Sequence, residues 1–165
     1  MKSRIVVAFL MPLCFSSVAV AANPNQAQFN VKITVAAGCT LTSSGDIDFS
    51  SVVGTAAQPA NAVTNLTATC TSSTPYTITF LGLYDSDPTT KVMKGTTGNT
   101  DTLTYQLVDT TSGTTVYGND SDHAFSGTGT GSAQTVSIAA KLLNWSSKAV
   151  KPDAYSDTVT ATITY

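Results

Sequence analysis

YSDTVTATITY, Tyr155 to Tyr165, sets Val159, Ala161, Ile163 and Tyr165 against Thr158, Thr160, Thr162 and Thr164 in strict alternation. A period of two sends one set to each face, so the stretch predicts a half-buried β-strand whose apolar row faces a core. It is also the last stretch of the sequence. A strand left at a sheet edge presents unpaired N–H and C=O groups that invite pairing with another chain. The sequence therefore poses a question about what pairs with this strand.

Upstream, the same kind of signal recurs. FNVKITVAAGCTL alternates Phe29, Val31, Ile33 and Val35 with Asn30, Lys32 and Thr34, and Gly38 breaks the pattern just before Cys39. GDIDFSSVV (45–53), VTNLTATCT (63–71), YTITFLGLY (76–84) and a short KVMKG (91–95) follow, with turn signals such as SSTP and DSDP between them. LTYQLVD (103–109) and TVYG (115–118) read as a hairpin, SGTGTGSAQ (126–134) as a Gly/Ser loop, and TVSIAAKLLN (135–144) as a further strand. Roughly eight short strands at regular spacing predict a sandwich or barrel. Composition agrees: 29 Thr suit strands, while Glu is absent and Arg is nearly so.

The first residues stand apart. Lys2 and Arg4, an apolar run from Ile5 to Phe15, and Ala19-Val20-Ala21 form the three parts of a secretory signal peptide. The mature chain is expected to begin near Ala22 and to be exported. Six Lys and ten Asp then remain, a net charge of −4 with no Arg. Without the guanidinium fork, nucleic acid is an unsuitable partner. Cys14 leaves with the signal, and Cys39 and Cys70 predict one disulfide in an oxidising compartment.

Catalytic and metal chemistry finds little purchase. His123, in NDSDHAF, has no second His to complete a metal site or triad, and reads as part of a solvated loop. GTGTGSA lacks the spacing and the following Lys of a phosphate loop. NLT, NDS and NWS match the glycosylation pattern at a frequency expected by chance in so Thr-rich a chain. Trp145 is either a sugar-stacking platform or a core residue. No enzyme, no metal and no cofactor are expected.

FNVKITVAAGCTL, IDFSSV, TATC, LTYQLVDTTSGTTVYG and YSDTVTATITY, in this order, resemble the spore coat protein U family, which contains the pilins of archaic chaperone–usher pili. The resemblance implies an all-β, incomplete immunoglobulin-like sandwich completed by donor-strand exchange. It implies as partners a periplasmic chaperone, an outer-membrane usher, and identical or related subunits in a cell-surface fibre that supports adhesion and biofilm formation. The expected organisation is a signal peptide at 1–21, a donor segment at 22–37 and a pilin domain at 38–165. Phe29, Val31, Ile33 and Val35 are the expected donor anchors, and Val159, Ala161, Ile163 and Tyr165 the expected wall of the acceptor groove. Four buried anchors would supply a gross stabilisation of about 6–12 kcal/mol, at about 1.5–3 kcal/mol each. The size suits a shaft subunit, since a two-domain tip would need about twice the length. The competing expectations are that Phe29–Val35 closes its own sandwich, giving a monomeric carbohydrate-binding module, or that the chain is a coat protein outside any pilus.

Overall fold

The computed structural model describes residues 25–53, 57–143, 145 and 150–165. The expected signal peptide, with Cys14, lies outside the described residues. The chain divides into two units, Met1–Thr34 and Val35–Tyr165. In the first, residues 25–34 carry no strand, although the alternation of FNVKITV predicts one. A lone extended segment gains no ladder hydrogen bonds and covers neither of its faces, so its pattern does not suffice to make it a strand.

The second unit is all-β, and no α-helix occurs among the described residues. Its strands are β1 (Cys39–Ser43), β2 (Ala62–Cys70), β3 (Pro75–Gly82), β4 (Thr90–Lys94), β5 (Thr102–Asp109), β6 (Val116–Tyr117), β7 (Phe125–Thr128), β8 (Ala133–Leu142) and β9 (Val159–Thr164). One sheet runs β1-β2-β8-β5-β4, with β6 also on β5, and the other runs β7-β3-β9. Every ladder is antiparallel. Two antiparallel sheets enclosing one core make an immunoglobulin-like sandwich.

Alternation builds that core. Leu66, Ala68 and Cys70 of β2 face inward with Val136, Ile138 and Ala140 of β8. Tyr76, Ile78 and Phe80 of β3 close the opposite side. Phe80 packs against Tyr117 with ring centres 5.8 Å apart and planes tilted by 40°, and Tyr117 meets Phe125 edge-on at 6.1 Å. These pairs tie β3, β6 and β7 together, which explains why Phe125–Thr128 is a strand where the sequence suggests a Gly/Ser loop. At Gly127 the neighbouring Tyr76 ring leaves no room: a Cβ there would lie 2.5 Å from it. The other difference is at 45–53, which forms no strand.

Cys39 and Cys70 are joined, with Cα atoms 4.1 Å apart. They face each other across β1 and β2. Thr71 N donates to Gly38 O and Ser44 N donates to Asn65 O, both at 2.9 Å. In an antiparallel ladder such bonded pairs recur every second residue, so Cys39 and Cys70 occupy a close, non-bonded pair. The cross-link closes a separation of 31 residues, worth about 3–4 kcal/mol in the chain-entropy account. Replacing both cysteines with Ser should lower the melting temperature of the purified chain by about 10 °C. A calorimetric scan checks this.

Candidate strand-accepting cleft

Where the two sheets part, a cleft of about 630 Å³ opens between β1 and β9. Its floor is the apolar core: Leu66, Phe80, Tyr105, Leu107, Ile138 and Ala140. Leu41 of β1 stands on one side, and Val159 and Ala161 of β9 stand on the other. All three are only half-buried.

Both walls are strand edges. Leu83 N donates to Thr158 O at 3.0 Å, continuing the register in which Leu81 faces Thr160 and Thr79 faces Thr162. Those pairs therefore carry the β3–β9 hydrogen bonds, and Val159, Ala161 and Ile163 turn their N–H and C=O groups to the free edge of β9. The same logic turns Cys39, Leu41 and Ser43 outward on β1. Residues whose side chains line the apolar cleft thus also offer, beside it, backbone donors and acceptors that no described residue engages. Among ligand types, an extended peptide with alternating apolar side chains satisfies both demands at once.

Of the expected groove residues, Val159, Ala161 and Ile163 pack against the core. Tyr165 does not: it lies past the end of β9 and is 59% exposed. The strand ends at Thr164, and Tyr165 follows it one residue past the last paired position, Thr77 with Thr164. The expected donor residues Phe29, Val31 and Ile33 are 86–89% exposed, and Val35 is 74% exposed. Four apolar side chains at alternate positions, all in water, are an unusual expense for a segment without a binding role.

The mouth of the cleft is held by polar contacts the sequence did not disclose. Asp157, at its edge, accepts from the Tyr105 hydroxyl at 2.8 Å and from Leu83 N at 3.1 Å. Burial, and then this carboxylate, push the Tyr105 phenol well above its ordinary range. Lys91 is wholly buried and its Nζ sits 2.7 Å from Asp85, which also accepts from Gly82 N and Asn119. A Cβ on Gly82 would lie 2.3 Å from Asp85 Oδ1 and 2.8 Å from Asp157 Oδ2, so both carboxylates crowd this one backbone position. A readable signal existed for Lys91. It shares the inward phase of β4 with Met93, where an unpaired Lys would be out of place.

Tyr155, another lining residue, is positioned by Asp153. Its hydroxyl donates to Lys151 O at 2.8 Å and accepts from Asn99 Nδ2, which also donates to Asp153 at 2.7 Å. The Thr96 hydroxyl first, then Asn99, hold the Asp153 carboxyl at about 2, below its ordinary 3.8. A depressed folded-state value means that this tie is complete above pH 4 and is lost as pH falls through about 2. An NMR titration of Asp153 should show that midpoint, and Thr96→Ala should move it upward.

The remaining candidates take structural places. His123 Nδ1 lies 2.7 Å from Asp120 Oδ1, and the same oxygen accepts from His123 N, so the pair shapes a turn. Trp145 is 5% exposed, too buried for a sugar-stacking face. Asn144 of NWS lies outside the described residues. Among the described residues, no three His, Cys, Asp or Glu are grouped to hold a metal ion, and no helix is long and apolar enough to cross a membrane.

The comparisons with known proteins concur on the fold. The family model described as Spore Coat Protein U domain matches residues 25–162. No curated protein matches. Among solved structures, a chain in the crystal structure of the CsuC-CsuE chaperone-tip adhesion subunit pre-assembly complex, from archaic chaperone-usher Csu pili of Acinetobacter baumannii, is similar with a TM-score of 0.58 at 20% identity. That match covers 80% of the present chain and 41% of the other, so the present chain corresponds to about two fifths of its length.

Proposed function

Because the chain belongs to the Spore Coat Protein U domain family, we propose that it is a structural pilin of an archaic chaperone–usher pilus that polymerises by donor-strand exchange. The observation that carries this reading is the presence, on one chain, of two complementary parts. One is the exposed alternating row Phe29, Val31, Ile33 and Val35; the other is an apolar cleft walled by the free edges of β1 and β9. A donor on one surface and an acceptor on another make a head-to-tail contact, which propagates into a filament when it does not close into a ring. A subunit that carries both can repeat, which supports a shaft position.

In this reading the segment from 22 to 37 of one copy fills the cleft of the next, with Asn30, Lys32 and Thr34 facing outward. A periplasmic chaperone lends a strand to the cleft first, an outer-membrane usher exchanges it for the next subunit's segment, and the fibre serves surface adhesion and biofilm formation. The likeness to a chain from a chaperone–subunit complex supports the chaperone step. The buried Trp145 disfavours the carbohydrate-binding alternative. The test is to express the full chain with its chaperone and usher and to run the surface fraction unboiled on a denaturing gel. A regular ladder that collapses to one band on boiling is expected. A single monomer band before boiling overturns the proposal.

A further inference from the structure

IDFSSV, singled out in the sequence, remains unassigned by strand insertion. It begins just after β1, and among the described residues no strand and no backbone–backbone hydrogen bond involves residues 46–53. Even so, Ile47 and Phe49 are half-buried, pack against the core and line the cleft, while Asp46, Asp48 and Ser50 are exposed. After Phe49 the chain turns away: Ser50 N donates to Asp48 Oδ1 at 2.7 Å, and Ser50 adopts a left-handed φ of 60°.

Two apolar side chains at alternate positions line the cleft with exposed Asp48 between them, and Asp46 also reaches its rim; the pair reproduces in short form the pattern of Phe29–Val35. The likeness is incomplete in one respect. An inserted strand can use the free backbone groups of β9, whereas residues 46–53 make no such bonds. A segment held, among the described residues, by two half-buried side chains and no ladder bonds opens at low cost. We propose that Ile47 and Phe49 form a displaceable cover, an internal stand-in that shields the cleft until the N-terminal segment of a second copy enters and pushes Phe49 out. The direction of exchange follows from the count: two anchors without ladder bonds yield to four anchors with them. This inference rests on the donor-strand reading and names what that reading must displace.

The test uses the full chain carrying Ile33→Asp, which disables its own donor segment, and a fluorescent synthetic peptide of residues 25–37. Phe49→Ala should raise the peptide's association rate about tenfold, the loss of one half-buried ring being the barrier removed. The dissociation rate should change less than twofold. In a second variant, Phe49→Trp, the added indole emission should shift to the red when peptide binds. An unchanged or slower association with faster dissociation, or a blue shift in the Trp variant, makes Phe49 a fixed wall and overturns the cover alone. Failure of the peptide to bind either chain overturns the donor-strand reading and the cover with it.

Discussion

Ile33→Asp is expected to abolish the boiling-sensitive ladder while leaving the subunit itself folded. Ile33 is 89% exposed in the chain and sits in a segment without strand structure, so the substitution removes nothing from the subunit's own core. In an inserted strand the same side chain would lie in an apolar cleft with Leu66, Phe80 and Ile138 on its floor. The change then loses about 1.5–3 kcal/mol of apolar burial and adds the cost of desolvating a carboxylate, at least about 2 kcal/mol even if it is protonated on entry. Together these amount to a loss of at least 300-fold in affinity. Lys32→Asp is the control. It changes charge by more, but its side chain faces outward in the proposed register, and the ladder should survive. If Ile33→Asp leaves the ladder intact, Phe29–Val35 is not the donor.

The parts of this fold that depend on short-range pattern are legible in the sequence. The alternation in β2, β3, β5, β8 and β9 is visible residue by residue, because one buried face imposes a period of two. The disulfide was legible because Cys39 and Cys70 are the two cysteines outside the expected signal peptide. Two failures have a common cause. FNVKITV has a strand's pattern and no strand's structure, since ladder bonds require a partner that local sequence does not specify. FSGT has almost no pattern and is a strand, since Phe125 is fixed by Tyr76 and Tyr117 from elsewhere in the chain. Tyr165 continues the alternation but lies one residue past the end of β9, mostly exposed. The inward row of Val159, Ala161 and Ile163 was legible, and these residues pack against the core. The cleft's polar frame was not, because Asp85, Asp157 and Tyr105 meet only through tertiary contact, at sequence separations no local pattern encodes.

That frame supports the second large effect. Asp85→Ala should destabilise the folded chain by about 3–5 kcal/mol, the typical cost of stranding one member of a buried ion pair. Lys91 is 0% exposed and Asp85 9%, so water cannot take the place of the lost carboxylate. After the change, Lys91 Nζ keeps, among the described residues, the Pro88 carbonyl at 3.3 Å. Gly82 N loses its acceptor as well. The melting temperature should fall by about 10–15 °C, and urea denaturation should show a lower midpoint at an unchanged slope. Lys91→Met combined with Asp85→Ala removes both charges and should recover the part of the loss that comes from the stranded ammonium, but not the part owed to the unsatisfied Gly82 N. An Asp85→Ala variant within 1 kcal/mol of the parent would show that the pair is not sealed from solvent. The double variant has a further use. Gly82 faces Val159 across the β3–β9 ladder, so the pair fixes the backbone on which the cleft's outer wall is hung. A double variant that regains stability but polymerises poorly would separate the two roles of the pair, charge compensation in the core and placement of the edge proposed to receive an incoming strand.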